Sequence, residues 1–473
     1  MAPLLIPARD RRTRNREIPT QDAACVTPSL PPRARLPSPL QLIMMMWFTE
    51  RWVAATTRRF DAMVTVRPLG AGEFVLVWHP ELIKLLFTGD RDVVRAGEAA
   101  AGTLGGIAPS SLSTLDGDRH LRMRRLMSAP FHGETVRKHQ ALIADLADAE
   151  VRRWPVGQEF AIQPRMQAIA LEVILQIVIG TRDLRRMAAL RRLLPDMAQA
   201  SMLALMTETA HPWITEGRIG SRLPWARARR NADPLLYEEI AAHRADPDGR
   251  RDILASLIAA HDENDRPLTD RELRDQLITL LIAGQETTAT ALAWCFERLL
   301  RHPAALAKLE QEIDSDNGDR YLEAVINEAL RVRPPIDGVG RKLAAPLELG
   351  GYRLPAGTLV VASFIMAHAS EAFARPDEFL PERFLDQSPP PYAWIPFGGG
   401  PRRCIGASFA LMEMKTILRT VLRRVKLRAP NTRDERPVRA RRITTFPAQG
   451  GRAIVTSRKR IPRQLANRAE PPK

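Results

Sequence analysis

The stretch PFGGGPRRCIGASFALMEMK, Pro396 to Lys415, sets three glycines, a proline and two arginines ahead of a lone cysteine, Cys404, with a helical pattern behind it. Phosphate cradling, nucleophilic attack and metal ligation all use loops of this kind. A phosphate loop needs GxxxxGK(S/T) or GxGxxG. Here no Lys followed by Ser or Thr closes the glycines, and Arg403 stands where the last glycine of the second pattern belongs. A nucleophilic thiol needs a base, and the sequence marks none of the nine histidines as its partner. Metal ligation stays open beside the plainer reading, a buried free cysteine at a turn. Only Cys25, Cys295 and Cys404 occur, with no CxxC pair, so neither a disulfide framework nor a zinc finger is supported, and a reducing, cytosol-like compartment fits.

Other residues have the types and spacing to act with such a cysteine. Ala283-Gly284-Gln285-Glu286-Thr287-Thr288 lies inside a long helical pattern. A mid-helix threonine can turn its hydroxyl onto the carbonyl four residues back, here that of Ala283, and open the helix locally beside two small residues. Glu328 and Arg331, at i and i+3, share one helix face, and His120 and Arg124, at i and i+4, share another. An exposed Glu–Arg pair contributes only about 0–1 kcal/mol, so this one matters only if buried.

The elements that must position these residues are mostly helical. Thr269-Asp-Arg-Glu272 is a capping box, and Leu273, Leu277, Leu280, Ala291, Cys295 and Leu299 keep helical spacing to about Leu300. At about 1.5 Å per residue this is a rod of roughly 45 Å, enough to cross a domain. Helical periodicity covers Asp118 to about Gln311, including the charged stretch from 185 to 250. Strand signals sit at the flanks: Met63–Trp78 reads as a strand pair, and GGYRLPAG and AQGGRAIV read as hairpins.

The chain has 473 residues and a net charge of +16, but +13 falls on Val421–Lys473 and +4 on residues 1–35, leaving the interior near −1. Basic ends on a neutral body, with no nucleic-acid-binding motif, argue against a nucleic-acid-reading surface. The longest apolar run near the start, LQLIMMMWF, is about half of what a bilayer span needs, so no transmembrane segment is expected. Residues 1–35 and 457–473 read as basic, disordered extensions around one folded unit, 36–456.

Taken together, Phe397, Gly400, Arg402, Cys404 and Gly406 form F-x-x-G-x-R-x-C-x-G, which resembles, at every specified position, the haem-binding loop of the cytochrome P-450 superfamily. The resemblance spans roughly residues 36 to 456, with its motifs in order, and looks most like soluble actinobacterial members. It implies a mainly α fold with a smaller β region, in which a long central helix lies over the haem and the cysteine loop lies beneath it. The implied cofactor is haem b, with Cys404 as axial iron ligand. Glycines let backbone approach a flat porphyrin, and N–H groups at a helix start favour a thiolate. Ala283 and Gly284 match the family's oxygen-binding segment, and Glu286 and Thr287 its proton-delivery pair. His120, Arg124, Arg341 and Arg402 match propionate-binding positions. Glu328, Arg331 and Arg383 match a buried trio that governs folding and haem retention.

The activity the resemblance implies is insertion of one oxygen atom from O2 into an apolar substrate. The electrons come from NAD(P)H through a separate ferredoxin and ferredoxin reductase, in a cytoplasmic monomer. A peroxide-driven peroxygenase or isomerase on the same fold is the alternative, and a non-catalytic haem sensor the rival of another class. By family position, substrate contacts fall after Gly97, at Leu280–Ala283, at Ile336–Val339 and at Ile443–Phe446, where Asp337 either reads a polar group or caps a turn. Arg119, Arg122 and Arg125 read as a solvated face open to an acidic redox partner.

Overall fold

The computed structural model describes residues 29–104, 108–198, 224–316, 318–386, 388–438 and 444–459. Most of the two basic extensions, the pocket position Ile443 and the middle of the charged helical stretch lie outside these residues.

The organising element is the helix Asp270–Arg301. Its start follows from the sequence: the Thr269 hydroxyl accepts the Glu272 N–H at 3.2 Å, and the Glu272 carboxylate accepts the Thr269 N–H at 2.9 Å. From Thr288 to Leu300 every residue is buried. Such a helix, covered all round, can only run through the middle of a domain. The helices Ile162–Val173, Arg320–Val332 and Ala407–Arg424 pack around it. A π-helical turn, Ile174–Val178, follows the first of these. Ile174 sits so close to Gly284 that an added Cβ there would meet its Cδ1 at 2.9 Å.

A second core lies on a five-stranded sheet in the order Met63–Val66, Phe74–Val77, Leu359–Ser363, Gly338–Leu343, Val94–Arg95. The expected strand pair is its first hairpin. The strand Gly338–Leu343 carries Arg341 toward the helical half. Leu347–Leu349 and Tyr352–Leu354 form a hairpin whose two-residue turn, Gly350-Gly351, has φ of 60° and 80° at its two glycines, open to glycine at no steric cost.

The second expected hairpin is corrected. Phe446–Pro447 pairs with Pro437–Val438, whereas Arg452–Arg458 pairs with Glu159–Ala161 and Val425–Arg428. The reason is a carboxylate: Glu435 accepts the N–H groups of Gln449, Gly451 and Arg452 at 2.7–3.1 Å, so these amides are spent on an acid rather than on a ladder. The fold also reaches past the limits read at 36 and 456. Ser29 N–H donates to the Arg353 carbonyl, residues 31–34 bond Thr65, and the last strand runs to Arg458.

Candidate cofactor site

The loop before the helix Ala407–Arg424 is folded tightly by its glycines. Gly400 has φ +60°, and a Cβ there would strike the Phe87 carbonyl. The Cys404 N–H donates to the Phe397 carbonyl at 2.8 Å, and the Phe397 ring meets Trp394 edge-on at 6.3 Å. Cys404 is solvent-exposed by area although protein surrounds it, so its thiol opens on an internal space and not on the outer surface. Burial pushes this thiol up, while the Gly406 N–H and the charges of Arg403 and Arg124 pull it back. Burial prevails. A coordinated metal would deprotonate a ligating thiol outright.

The cations converge beside it. His120 is buried on the helix Gly117–Ser128, and its imidazole is lowered to about 4 by burial and then by Arg402 and Arg124. Arg341, 5% exposed, is lowered to about 10 by burial and by Arg402. It lies 5.1 Å from the Phe87 ring, donates to the Gly340 carbonyl, and has no carboxylate partner among the described residues. Arg124 is lowered by burial, against the field of Cys404. Arg402 donates to Asp116 at 2.5 Å and to the carbonyls of Leu112 and Leu115, which ties the cysteine loop to the start of the His120 helix. Asp116 also accepts the N–H groups of Gly97 and Glu98, at 2.8 and 2.7 Å. Arg402 and Arg341 thus share one carboxylate, Asp116, with Arg124 near Arg402, and the surplus positive charge is what the two propionates of a haem would neutralise. Thiol, cations and glycine-lined loop fit that group.

Across the internal space the central helix exposes Ala283 and half-exposes Gly284 and Thr287, although the positions around them are mostly buried. The Thr287 hydroxyl donates to the Ala283 carbonyl at 2.5 Å. Glu286 points elsewhere: it is buried and accepts from Gln167 at 2.9 Å and Thr444 at 3.1 Å, and Thr444 lies 3.2 Å from the Thr290 hydroxyl. Asp337 accepts from the Thr445 hydroxyl at 2.6 Å. Thr444 and Thr445, expected as pocket contacts, are buried between the central helix and its neighbours.

Glu328, Arg331 and Arg383 meet. Glu328, fully buried, takes two bonds from Arg331 at 2.7 and 2.8 Å, one from Arg383 at 3.0 Å and one from the Leu380 N–H. Arg331 also holds the carbonyls of His368, Pro376 and Glu378. The solvated arginine face is corrected in part. Arg122 bonds Asp262 and Glu272, because the loop before the central helix brings acids there, whereas Arg125 stays solvated, with an exposed partner in Glu263.

Three residues escaped the sequence reading. Asp116 was signalled by its place before Gly117, whose φ is +57°. His368 is buried, with Nδ1 on the Arg331 carbonyl and Nε2 accepting the Ile395 N–H, so it links the trio to the cysteine loop; no local signal marked it. Glu413 is buried on the Cys404-side helix, its Oε1 unpartnered and its carboxyl pushed up to about 8 by burial.

The family model for cytochrome P-450 matches residues 36–452. The Mycobacterium tuberculosis (strain H37Rv) protein named cytochrome P-450 135B1 is 44% identical over 434 residues, 90% of this chain and 91% of the relative. Cytochrome P-450 138 of the same strain is 35% identical and covers 93% of this chain and all of the relative. Among solved structures, a retinoic-acid-bound cyanobacterial cytochrome P-450 aligns with a TM-score of 0.78 at 24% identity, over 91% of this chain and 99% of that one, which speaks for the fold alone. The chain belongs to the cytochrome P-450 family, haem-thiolate proteins that carry haem b and act generally as monooxygenases. No helix among the described residues is long and apolar enough to cross a membrane.

Proposed function

We propose that this chain inserts one oxygen atom from O2 into an apolar organic substrate by hydroxylation or epoxidation, as a cytoplasmic monomer. A separate ferredoxin and ferredoxin reductase deliver the electrons from NAD(P)H. When bound, haem b with a cysteinate ligand supplies O2 activation. The protein side follows from named residues. Cys404 would hold the haem iron through its sulfur. His120, Arg124, Arg341 and Arg402 hold the propionates, and Arg402 also braces the loop against Asp116.

The observation that carries the reading is the Thr287 hydroxyl bonded to the Ala283 carbonyl at the one exposed stretch inside an otherwise buried helix. A hydroxyl held there by its own proton keeps its lone pairs turned to the internal space, ready to accept a proton bond and pass one on. Glu286, one residue back, is the acid of the pair; with its carboxylate held by Gln167 and Thr444, it must leave these partners to reach the Thr287 hydroxyl, so Thr287 carries the assignment. Arg119 and Arg403, exposed and without carboxylate partners among the described residues, are the cations left for an acidic ferredoxin now that Arg122 and Arg125 are engaged.

Thr287→Ala tests the reading. It keeps the reduced carbon monoxide spectrum, while reducing equivalents are diverted from product into peroxide. Unchanged coupling removes Thr287 from proton delivery, and turnover with peroxide but never with ferredoxin and reductase favours the peroxygenase alternative.

A further inference from the structure

Ten large apolar side chains are exposed among the described residues, and six of them lie on one patch: Leu36, Leu40, Ile43, Trp47, Phe48 and Leu69, each 39–58% exposed. The helix Ser38–Trp47 makes the patch continuous. Positions 40, 43 and 47 follow the i, i+3, i+7 spacing of a single helix face, and Leu36 lies just before the helix begins. Leu69 joins them because its N–H donates to the Ser38 carbonyl at 3.1 Å. The opposite side of the helix is anchored: Gln41 and Met46 are buried, and Met44 and Met45 pack on the sheet core. The exposed stripe is therefore not a frayed end but the outer face of a docked helix.

The rim of this patch is basic. Residues 29–73 hold six arginines and three acids. Two of those acids are already paired, Glu73 with Arg33 at 3.0 Å and Glu50 with Arg333 at 2.6 Å. Arg35 adjoins Leu36, Arg67 adjoins Gln41 through its N–H, and the Arg51 guanidinium lies 5.7 Å from the Phe48 ring. None of these three has a carboxylate partner among the described residues, and all three are exposed.

We propose that this face lies on an anionic lipid bilayer, with Leu40, Ile43, Trp47 and Phe48 in the acyl–headgroup boundary and Arg35, Arg51 and Arg67 among the phosphates. A convex stripe ending in Trp and Phe and rimmed by arginine has the composition that lies in the plane of an interface. A helix of ten residues, too short to span, has no deeper position available. Each arginine near the surface of an anionic bilayer adds attraction that salt screens. The proposal goes beyond the oxygenase reading and does not depend on it.

The test is flotation of the full haem-loaded chain with vesicles of phosphatidylcholine alone, or with about a third phosphatidylglycerol. Binding is expected to the anionic vesicles, weakening with salt. Ile43→Glu with Trp47→Glu is expected to lower it at least tenfold at an unchanged melting temperature. If that pair disturbs folding, Leu40→Gln with Arg51→Gln serves instead, with a smaller drop in the same direction. Replacing the arginines at 9, 11, 12, 14 and 16 by glutamine leaves most of the binding in place. Four results overturn the proposal: no binding to anionic vesicles, binding indifferent to the patch substitutions, binding lost only with the five N-terminal arginines, or a concentration-dependent dimer that the same patch substitutions dissociate.

Discussion

Replacing Arg331 by lysine keeps the charge and removes the fork. The guanidinium spends all five of its N–H donors: two on the Glu328 carboxylate and three on the carbonyls of His368, Pro376 and Glu378, at 2.7–2.9 Å. It also lies 5.2 Å from the Phe373 ring. An ammonium has three donors that radiate from one point, so at least two of these acceptors lose their partner in a dry interior. Stranded buried acceptors cost about 1–3 kcal/mol each, and a weakened buried ion pair adds to this, so a total of about 3–5 kcal/mol is expected. With an unfolding entropy of about 2.1 cal/mol/K per residue over 473 residues, the melting temperature drops by about 3–5 °C. Circular dichroism melts, with transfer of haem to an acceptor apoprotein followed in parallel, read both consequences. Because His368 connects this residue to the Ile395 N–H beside the cysteine loop, haem loss accelerates along with the melt. Arg331→Lys melting within about 1 °C of the parent, with normal haem retention, would mean that the five-donor fork does not hold this region together.

Glu413 gives a pH-dependent test. Its carboxyl titrates near 8 when folded and near 4.5 when unfolded, so between these values the folded chain holds the extra proton and stability falls as pH rises. By pH 7 the loss relative to pH 4.5 is roughly 3 kcal/mol; Glu413→Gln removes that slope, and a slope identical in both proteins contradicts the burial of an unpartnered acid. Arg341→Met separates cofactor binding from folding. With no carboxylate partner to strand among the described residues, the apoprotein melts at or above the parent temperature, while haem affinity falls roughly 10- to 100-fold for one lost charge-assisted contact. A lower apoprotein melt with unchanged affinity makes Arg341 structural.

What the sequence made legible was local chemistry. The capping box at Thr269, the strand pair at Met63–Val77 and the Thr287–Ala283 bond are dictated by residues within four positions or across one turn, and the structure has them where spacing puts them. What it left dark depends on distant segments. Asp116 and Arg402 are 286 positions apart, and Glu286 and Thr444 are 158 apart. The same holds for Arg122, whose helix face reads as solvated until the loop at Asp262 folds over it. The failed hairpin at Gly450-Gly451 has the same origin: the turn residues were read rightly, but the partner strands were chosen by Glu435 and the sheet edge. His368 has no pattern of its own, since its two bonds exist only once the trio and the cysteine loop are side by side.

Cys404 as the sulfur ligand of the haem iron is the assignment on which the proposed oxygenase rests. Reduction of the haem-loaded protein under carbon monoxide tests it most directly. The strongly red-shifted Soret band of a thiolate-ligated haem is expected, and its loss in Cys404→Ala. A reduced protein without that band, or a Cys404→Ala variant that keeps it, removes Cys404 as the iron ligand.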